Sequence, residues 1–208
     1  MIKGIIFDFD GVIAQSVEVK TEAFADMYKE YGKAVVNKVV QHHEDNGGMS
    51  RFEKFRLYHN TFLNKSITDY EISVLADKFS NLVLEKVINS PYVPGVINYV
   101  KKSYYKYKLF ISTGTPIDEM KEILIRRNII KYFQEVFGAP NKKQAHVDII
   151  LSKYCLKASE LIFYGDSNSD LEAANYADIE FVLVKNNNNQ TLTSSYNGKI
   201  IRNFLDLL

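Results

Sequence analysis

One short segment near the N-terminus constrains the fold of this 208-residue chain more than any other. It is KGIIFDFDGVI, Lys3–Ile13. Gly4–Phe7 is an apolar run with β-branched and aromatic side chains, which predicts a strand that is buried on both faces, as at the centre of a parallel sheet. The run leads directly into Asp8 and Asp10, followed by Gly11. The sequence therefore predicts a pair of carboxylates at the end of a buried strand.

The placement of these carboxylates points to a ligand. Burying charge costs free energy unless a partner or a metal ion compensates it. In open α/β sheets, ligands bind outside the carboxyl ends of the strands. Because side chains alternate along an extended backbone, Asp8 and Asp10 point to the same side and can converge on one cation or one substrate. An ordinary strand-ending turn is the alternative, since Asp and Gly are common in turns. The rest of the chain has to decide between these interpretations.

Strands and helices alternate after residue 90. Apolar runs predict strands over Lys108–Ile111, Glu135–Phe137, Leu161–Tyr164 and Glu180–Val184. The predicted helices of this part are Val96–Tyr105, one capped by Thr115 with Pro116 at its first position, Gln144–Tyr154 and Leu171–Tyr176. A turn is predicted over 112–114, and the polar run Asn186–Asn189 is interpreted as a solvated loop. Such alternation predicts βαβ units, right-handed crossovers and a parallel sheet.

Residues 14–90 carry helical patterns without a convincing strand. Helices are predicted over Ser16–Tyr31 and Ala34–Glu44, and capping boxes at 50–53 and 68–71 start two more. A Pro- and Gly-containing segment, 91–95, punctuates the end of this block. The predicted organisation is an α/β core of residues 1–13 and 91–208, interrupted by an all-helical cap domain of residues 14–90.

Charge and composition limit the possible partners. A formal net charge of +1 provides no broad field for binding nucleic acid or a membrane surface. The sequence has no signal-peptide pattern and no run that approaches the length of a membrane span. The one cysteine, Cys155, suits a reducing compartment and is predicted to be buried on a helix. We therefore expect a cytoplasmic protein, a monomer or weak dimer, without nucleic-acid or membrane partners.

Polar residues follow four of the predicted strands. They are Asp8 and Asp10, Ser112 and Thr113, Lys142 and Lys143, and Asp166 and Asp170. The ends of parallel strands share one edge of the sheet, so carboxylates, hydroxyl donors and a cation can meet there. Phosphoryl transfer needs such a set, with a nucleophile, a hard cation held by oxygen atoms and donors for the phosphate oxygens. A simpler role remains for Asp170 at a helix N-terminus, and for either lysine as a solvated loop charge.

These motifs resemble the four ordered motifs of the haloacid dehalogenase superfamily. The matching segments are DFDGV, STG, a lysine after GxP, and GDSNSD, and residues 14–90 resemble the inserted helical cap of that superfamily. In pattern the chain is most similar to the phosphoglycolate-phosphatase and β-phosphoglucomutase types. The resemblance implies a Rossmann-like parallel-sheet core with the cap inserted after the first strand.

The resemblance also implies the role of each motif residue. Asp8 would be the nucleophile that forms an aspartyl-phosphate, and Asp10 the general acid and then the general base. Mg²⁺ would be held by Asp8, Asp166 and the backbone carbonyl of Asp10, with support from Asp170. Phosphoryl oxygens would be bound by Ser112, or the backbone beside it, by Thr113 and by a lysine. The GxPxxK spacing favours Lys143 over Lys142 for that lysine.

The best recognition candidate in the predicted cap is GGMSR, 47–51. It resembles the Gly-x-x-Arg segment by which β-phosphoglucomutase-type caps reach the substrate. Gly48 lies in a flexible turn before a helix start, which offers free N–H groups to an anion, and Arg51 adds a bidentate donor. The alternative is a capped surface helix with a solvated arginine.

Together these features favour a Mg²⁺-dependent phosphatase acting on a small phosphorylated metabolite, of the sugar phosphate or phosphoglycolate type. A phosphomutase is the nearest alternative, but the mutase type carries a histidine where this chain has Lys20. A non-catalytic binding or regulatory protein on the same fold is the second alternative. The three carboxylates Asp8, Asp10 and Asp166 argue against it, because a pseudoenzyme does not need all three.

Overall fold

A computed structural model describes all 208 residues and contains one parallel six-stranded sheet. The strands are β1 (Gly4–Phe7), β2 (Lys108–Pro116), β3 (Glu135–Ala139), β4 (Leu161–Gly165), β5 (Glu180–Val184) and β6 (Lys199–Ile201). Their order across the sheet is β3-β2-β1-β4-β5-β6. The predicted Rossmann-like α/β fold is confirmed.

Nine α-helices surround or extend this sheet. They are α1 (Val17–Tyr28), α2 (Lys33–Asp45), α3 (Arg51–Leu57), α4 (Asp69–Asn89), α5 (Val96–Tyr104), α6 (Ile117–Arg126), α7 (Lys143–Lys153), α8 (Asn168–Tyr176) and α9 (Gln190–Ser195). A single π-helical segment, Tyr58–Phe62, continues α3. No helix is both long enough and apolar enough to cross a membrane.

The first strand lies at the centre of the sheet, as its apolar run predicts. Ile5 is aligned with Leu109 of β2 on one side and with Ile162 of β4 on the other. All four residues of β1 are buried. The chain order of the strands reverses around β1, and such a switch point creates a crevice outside the carboxyl ends of the strands. Asp8 therefore emerges into the crevice where the fold binds ligands.

The four helices α1–α4 come between β1 and β2 and share an aromatic cluster. The ring of Phe24 lies 4.4 Å from that of Phe79 and 5.6 Å from that of Phe55, measured between centroids. The chain enters and leaves this segment side by side, because Val93 N–H donates to the Ile13 carbonyl over 3.0 Å. This pairing fits an inserted unit, and the exact division into core and cap stays a prediction.

Three local predictions were wrong. The predicted turn over 112–114 belongs to β2, and Pro116 precedes α6 instead of occupying its first turn. The pairing of β2 with β3 shifts register between Ser112 and Pro116, which lets an irregular strand continue through Gly-Thr. Cys155 is exposed and lies beyond α7 with a φ of 51°, so it is not a buried helical thiol.

Candidate active site

Asp8 occupies the first position after β1. Its backbone N–H donates to the Tyr164 carbonyl of β4 over 2.9 Å, so the sheet holds the residue in place. The residue is buried, and its Oδ1 atom has no hydrogen-bond partner. Lys143 Nζ lies 3.1 Å from Oδ1, close enough for an ion pair but not aligned for a hydrogen bond. A rigidly held carboxylate with an uncommitted oxygen suits a metal ligand or a nucleophile.

Three buried carboxylates converge at this point. Asp8, Asp166 and Asp170 each offer one oxygen, and these oxygens lie within 4.8 Å of one another. Burial raises the pKa of Asp8 to about 7 even though the Lys143 ammonium opposes the shift. Burial, followed by repulsion from Asp8 and Asp170, raises the pKa of Asp166 well above its usual range. Three carboxylates with one lysine between them leave a net negative charge on hard oxygen donors. Such a group is suited to binding Mg²⁺.

The turn after the strand requires glycine at position 11. Gly11 has a φ of +79°, in the left-handed region that other residues rarely adopt. A Cβ atom there would also lie 2.1 Å from Asp166 Oδ2. A side chain at this position would therefore displace one of the carboxylates.

Lys143 and Asp170 form the buried support of the acidic cluster. Lys143 Nζ donates to Asp170 Oδ1 over 2.5 Å, and the two carboxylates Asp170 and Asp8 raise the lysine's pKa against the effect of burial. Asp170 Oδ2 accepts from Ser167 Oγ over 2.6 Å as part of the capping box of α8. Lys142 is exposed, and its Nζ lies 3.6 Å from a Glu53 carboxylate oxygen. Of the two lysines, the structure brings Lys143 to the carboxylates.

Asp10 lies in a different electrostatic environment from Asp8. Its Oδ1 accepts from Ser16 Oγ over 2.6 Å, and its Oδ2 accepts from Lys20 Nζ over 2.5 Å. Lys20 also donates to Thr115 Oγ1 over 2.7 Å. Burial alone would raise the pKa of Asp10, but the Lys20 charge and the hydrogen bonds lower it overall. The site thus holds two neighbouring carboxyl groups whose pKa values are shifted in opposite directions, because only Asp10 has a lysine and a hydroxyl group hydrogen-bonded to its carboxylate.

The two hydroxyl residues predicted to bind phosphate, Ser112 and Thr113 of β2, differ in orientation. Thr113 lines the cavity above the carboxylates. Ser112 Oγ is instead hydrogen-bonded to His146 Nδ1 at 2.9 Å, behind the strand. Burial, followed by the Lys143 charge, lowers the pKa of His146 to about 4, so the ring is neutral at pH 7. Phosphate binding by the Ser112 and Thr113 positions stays a prediction.

The predicted recognition segment closes the cavity from the cap side. A Cβ atom on Gly48 would lie 1.8 Å from Ser169 Oγ and 3.1 Å from Ser169 Cβ, so this segment packs closely against α8. Arg51 lines the cavity but is buried, and its guanidinium binds both carboxylate oxygens of Glu119 at 2.7 and 2.8 Å. Its Nη1 also donates to Ser80 Oγ over 2.6 Å. Arg51 therefore connects α3 to α6 and is not a solvated surface arginine.

Six of the nine predicted site residues line one cavity of about 500 Å³. Those that line it are Asp8, Asp10, Gly48, Arg51, Thr113 and Asp166. Those that do not line it but are buried are Ser112, Lys143 and Asp170. A cavity of this size accommodates a small metabolite.

A family model described as haloacid dehalogenase-like hydrolase matches residues 5–184 of the chain. The chain belongs to this family. A phosphorylated carbohydrates phosphatase from Thermotoga maritima is 27% identical over 187 residues, 86% of this chain and 83% of that protein. A phosphoglycolate phosphatase from Vibrio parahaemolyticus is 36% identical over 76 residues, 34% of this chain and 33% of that protein. The family resemblance is confirmed.

The fold of this haloacid dehalogenase-like hydrolase also recurs in solved structures. The β-phosphoglucomutase from Clostridium difficile superposes with a TM-score of 0.78 at 20% sequence identity, covering 100% of this chain and 94% of that one. Family membership confirms the prediction of an enzyme with hydrolase chemistry, and the two curated relatives are both named phosphatases.

Sequence reasoning missed two asparagines of the hydrolase's site. The run interpreted as a solvated loop lines the cavity, and Asn186 Nδ2 donates to Asp166 Oδ2 over 2.7 Å. Asn189 Nδ2 donates to the backbone carbonyl of Asp166 over 2.8 Å. Both residues follow β5. The rule that polar residues at strand ends build the site, extended to this fifth strand, would have found them.

Proposed function

We propose that this hydrolase is a Mg²⁺-dependent phosphatase that cleaves a small phosphorylated metabolite, of the sugar phosphate or phosphoglycolate type, through an aspartyl-phosphate. The observation that supports the proposal is that the two aspartates after β1 have different surroundings. Asp8 lies among carboxylates, and its Oδ1 accepts no hydrogen bond although Lys143 Nζ lies 3.1 Å away, whereas Asp10 accepts hydrogen bonds from Lys20 and Ser16. The names of both curated relatives support phosphate-ester hydrolysis.

In the first step, a carboxylate oxygen of Asp8 bonds to phosphorus and the ester P–O bond breaks. Asp10 transfers its proton to the departing oxygen. The Lys20 charge keeps Asp10 ionised before substrate arrives, but a nearby phosphate charge favours the protonated form. Asp10 therefore takes up a proton from solvent as the substrate binds, and this is the proton that it transfers to the departing oxygen.

In the second step, water bonds to phosphorus and the bond to Asp8 breaks, releasing inorganic phosphate. Asp10, now a carboxylate, accepts the proton of the water. Lys143 stays beside Asp8 and, with Thr113 and the backbone near Ser112, is proposed to orient the phosphoryl oxygens. Asp8 and Asp166, with the Asp10 carbonyl and support from Asp170, would hold Mg²⁺, which neutralises charge between the carboxylate and the phosphate when bound.

Gly48 and Arg51 are proposed to meet the substrate from the cap side. Both line the cavity opposite the carboxylates. Because Arg51 already binds Glu119, contact with substrate requires the guanidinium to share or exchange that ion pair.

The proposal predicts phosphate release from a metabolite panel with Mg²⁺ and its loss with EDTA. The panel contains hexose phosphates, pentose phosphates, phosphoglycolate and p-nitrophenyl phosphate. Restoring Mg²⁺ after EDTA should restore the rate. A phosphomutase would instead convert β-glucose 1-phosphate to glucose 6-phosphate, with glucose 1,6-bisphosphate present, faster than it releases phosphate. Undiminished hydrolysis in EDTA would contradict the metal assignment.

A pH profile tests the role of Lys20. Lys20→Met is expected to raise the pKa of Asp10, because the buried Asp10 carboxylate loses its ion-pair partner. The carboxylate form of Asp10, which is the base of the second step, then forms only at higher pH. The acidic limb of the kcat profile should therefore shift to higher pH, and kcat at low pH should fall. Lys20→Arg, which keeps the charge, should retain the wild-type limb. An acidic limb that stays in place or moves downward in Lys20→Met would refute this role.

A further inference from the structure

Three cations from the predicted cap line the cavity, and two of them already have a carboxylate partner. Lys20 pairs with Asp10, and Arg51 pairs with Glu119. Lys54, on α3, has no carboxylate within ion-pair distance. Lys54 is therefore the basic side chain of the three to which the protein supplies no carboxylate partner.

The surroundings of Lys54 make this unusual. The residue is 1% exposed, and its Nζ lies 2.7 Å from Nδ1 of the buried His43. Nζ also lies 5.5 Å from the centroid of the Phe24 ring. Burial, followed by repulsion from Lys20, lowers the pKa of Lys54 well below its usual range. An anion placed here would favour the charged form of Lys54, and it would accept from the donor positions of the ammonium that His43 leaves free.

Lys54 and His43 face the same cavity as the catalytic carboxylates. The lining includes Asp8 and Asp10 on the core side, and Lys54, His43 and Phe24 on the cap side. A phosphoryl group bound at Asp8 leaves the rest of a small substrate to extend past Asp10 towards the cap. Asp8, Asp10 and Asp166 disfavour a second anion close to the reacting phosphate, and Glu44 and Asp45 also line the cavity from the cap side. Lys54 is the buried basic group there that lacks a carboxylate partner, so an anion that reaches it is favoured.

We propose that Lys54, positioned by His43, binds an anionic group on the non-reacting end of the substrate. The substrate is then a phosphorylated acid or a bisphosphate, and not a neutral compound with a single phosphate. This inference rests on the proposed phosphatase function and narrows its substrate class. Carboxylate and phosphate share the chemistry that Lys54 recognises, and the test separates them.

A series of short phosphate esters that differ only at the far end provides the measurement. The esters are 2-phosphoglycolate, ethylene glycol bisphosphate, 2-hydroxyethyl phosphate and O-phosphoethanolamine, ending in a carboxylate, a phosphate, a hydroxyl and an ammonium group. Wild type should prefer one of the two anionic esters. In Lys54→Met, the ratio of kcat/KM for that ester to kcat/KM for 2-hydroxyethyl phosphate should fall about 10- to 150-fold, as expected for losing a charged hydrogen bond. Lys54→Arg should recover part of the preference.

Two controls separate recognition from general damage. Lys78→Met removes an exposed lysine of α4 and should leave the ratio unchanged. Arg51→Gln tests the neighbouring cation. If Arg51→Gln abolishes the anionic preference while Lys54→Met keeps it, the anion site is Arg51 and the inference is overturned. Equal losses for all four esters in Lys54→Met would overturn it as well.

Binding without turnover distinguishes this inference from the phosphatase proposal. Calorimetric titration of 2-phosphoglycolate and of the bisphosphate into Asp8→Asn protein should give an affinity that falls about 10- to 150-fold when Lys54→Met is added. Unchanged affinity of both would refute the role of Lys54. Lysine-dependent binding in Asp8→Asn, combined with no hydrolysis of any ester by the wild-type enzyme, would refute the phosphatase proposal alone.

Discussion

Asp8→Asn is expected to abolish phosphate release from every substrate, because an amide cannot form the aspartyl-phosphate. The substitution keeps the size of the side chain at a position where the backbone N–H is fixed to Tyr164. Asp10, Lys20 and the cap-side residues keep their partners, since none of them binds the Asp8 side chain. The loss should therefore reflect chemistry and not misfolding.

Thermal melting separates these causes. Burial raises the pKa of Asp8 to about 7, so its charge destabilises the metal-free fold as pH rises from the ordinary carboxyl range through that value. Asp8→Asn removes this cost, and the metal-free Tm at pH 8 should rise relative to wild type. Fluoride complexes of beryllium, which mimic an aspartyl-phosphate, should stabilise wild type but not the variant. A variant with wild-type activity would refute the covalent mechanism.

Asp166→Ala is the second substitution with a very large expected effect. Asp166 contributes an oxygen to the three-carboxylate cluster. Asp170 cannot readily replace it as a metal ligand, because both Asp170 oxygens already accept hydrogen bonds. Activity should disappear or require far more Mg²⁺. Calcium should not rescue it, since Ca²⁺ prefers more ligands and longer bonds.

The Mg²⁺ dependence of Tm provides a readout that does not depend on turnover. Mg²⁺ should raise the Tm of wild type more at pH 8 than at pH 5, because protons compete for Asp8 and Asp166, whose pKa values are raised. Asp166→Ala should lose this Mg²⁺-dependent shift. The control Asp77→Ala, at an exposed position of α4, should keep both the shift and the activity. Full activity of Asp166→Ala in metal-free buffer would contradict the assignment.

Much of the fold and of the core side of the site could be predicted because the signals are local. The apolar run Gly4–Phe7 predicts a doubly buried strand, and β1 is indeed central and flanked on both sides. Thr68 and Glu71 form the predicted capping box at the start of α4. In a parallel sheet, strand ends share one edge, so Asp8, Asp166 and Lys143 meet although they are far apart in sequence.

The cap side of the site could not be predicted in the same way. In the sequence, Lys20 was notable only because the mutase type has a histidine at that position. The structure shows that Lys20 donates a hydrogen bond to Asp10. The partner of Arg51 is Glu119, 68 residues away, on a core helix that the predicted cap must approach before the pair exists. No periodicity or motif encodes the distance between two side chains on helices that are 68 residues apart in the chain.

The sequence by itself determined which strand is central, where the carboxylates emerge and which family's chemistry they resemble, because these follow from backbone periodicity and strand order. Only the tertiary structure decided which charges are compensated. Asp10 is paired with Lys20, Asp8 and Asp170 share Lys143, and Lys54 is buried without a carboxylate partner. Charge compensation depends on contacts within about 4 Å between residues remote in sequence, so it is settled when the helices of residues 17–89 pack over the end of the sheet.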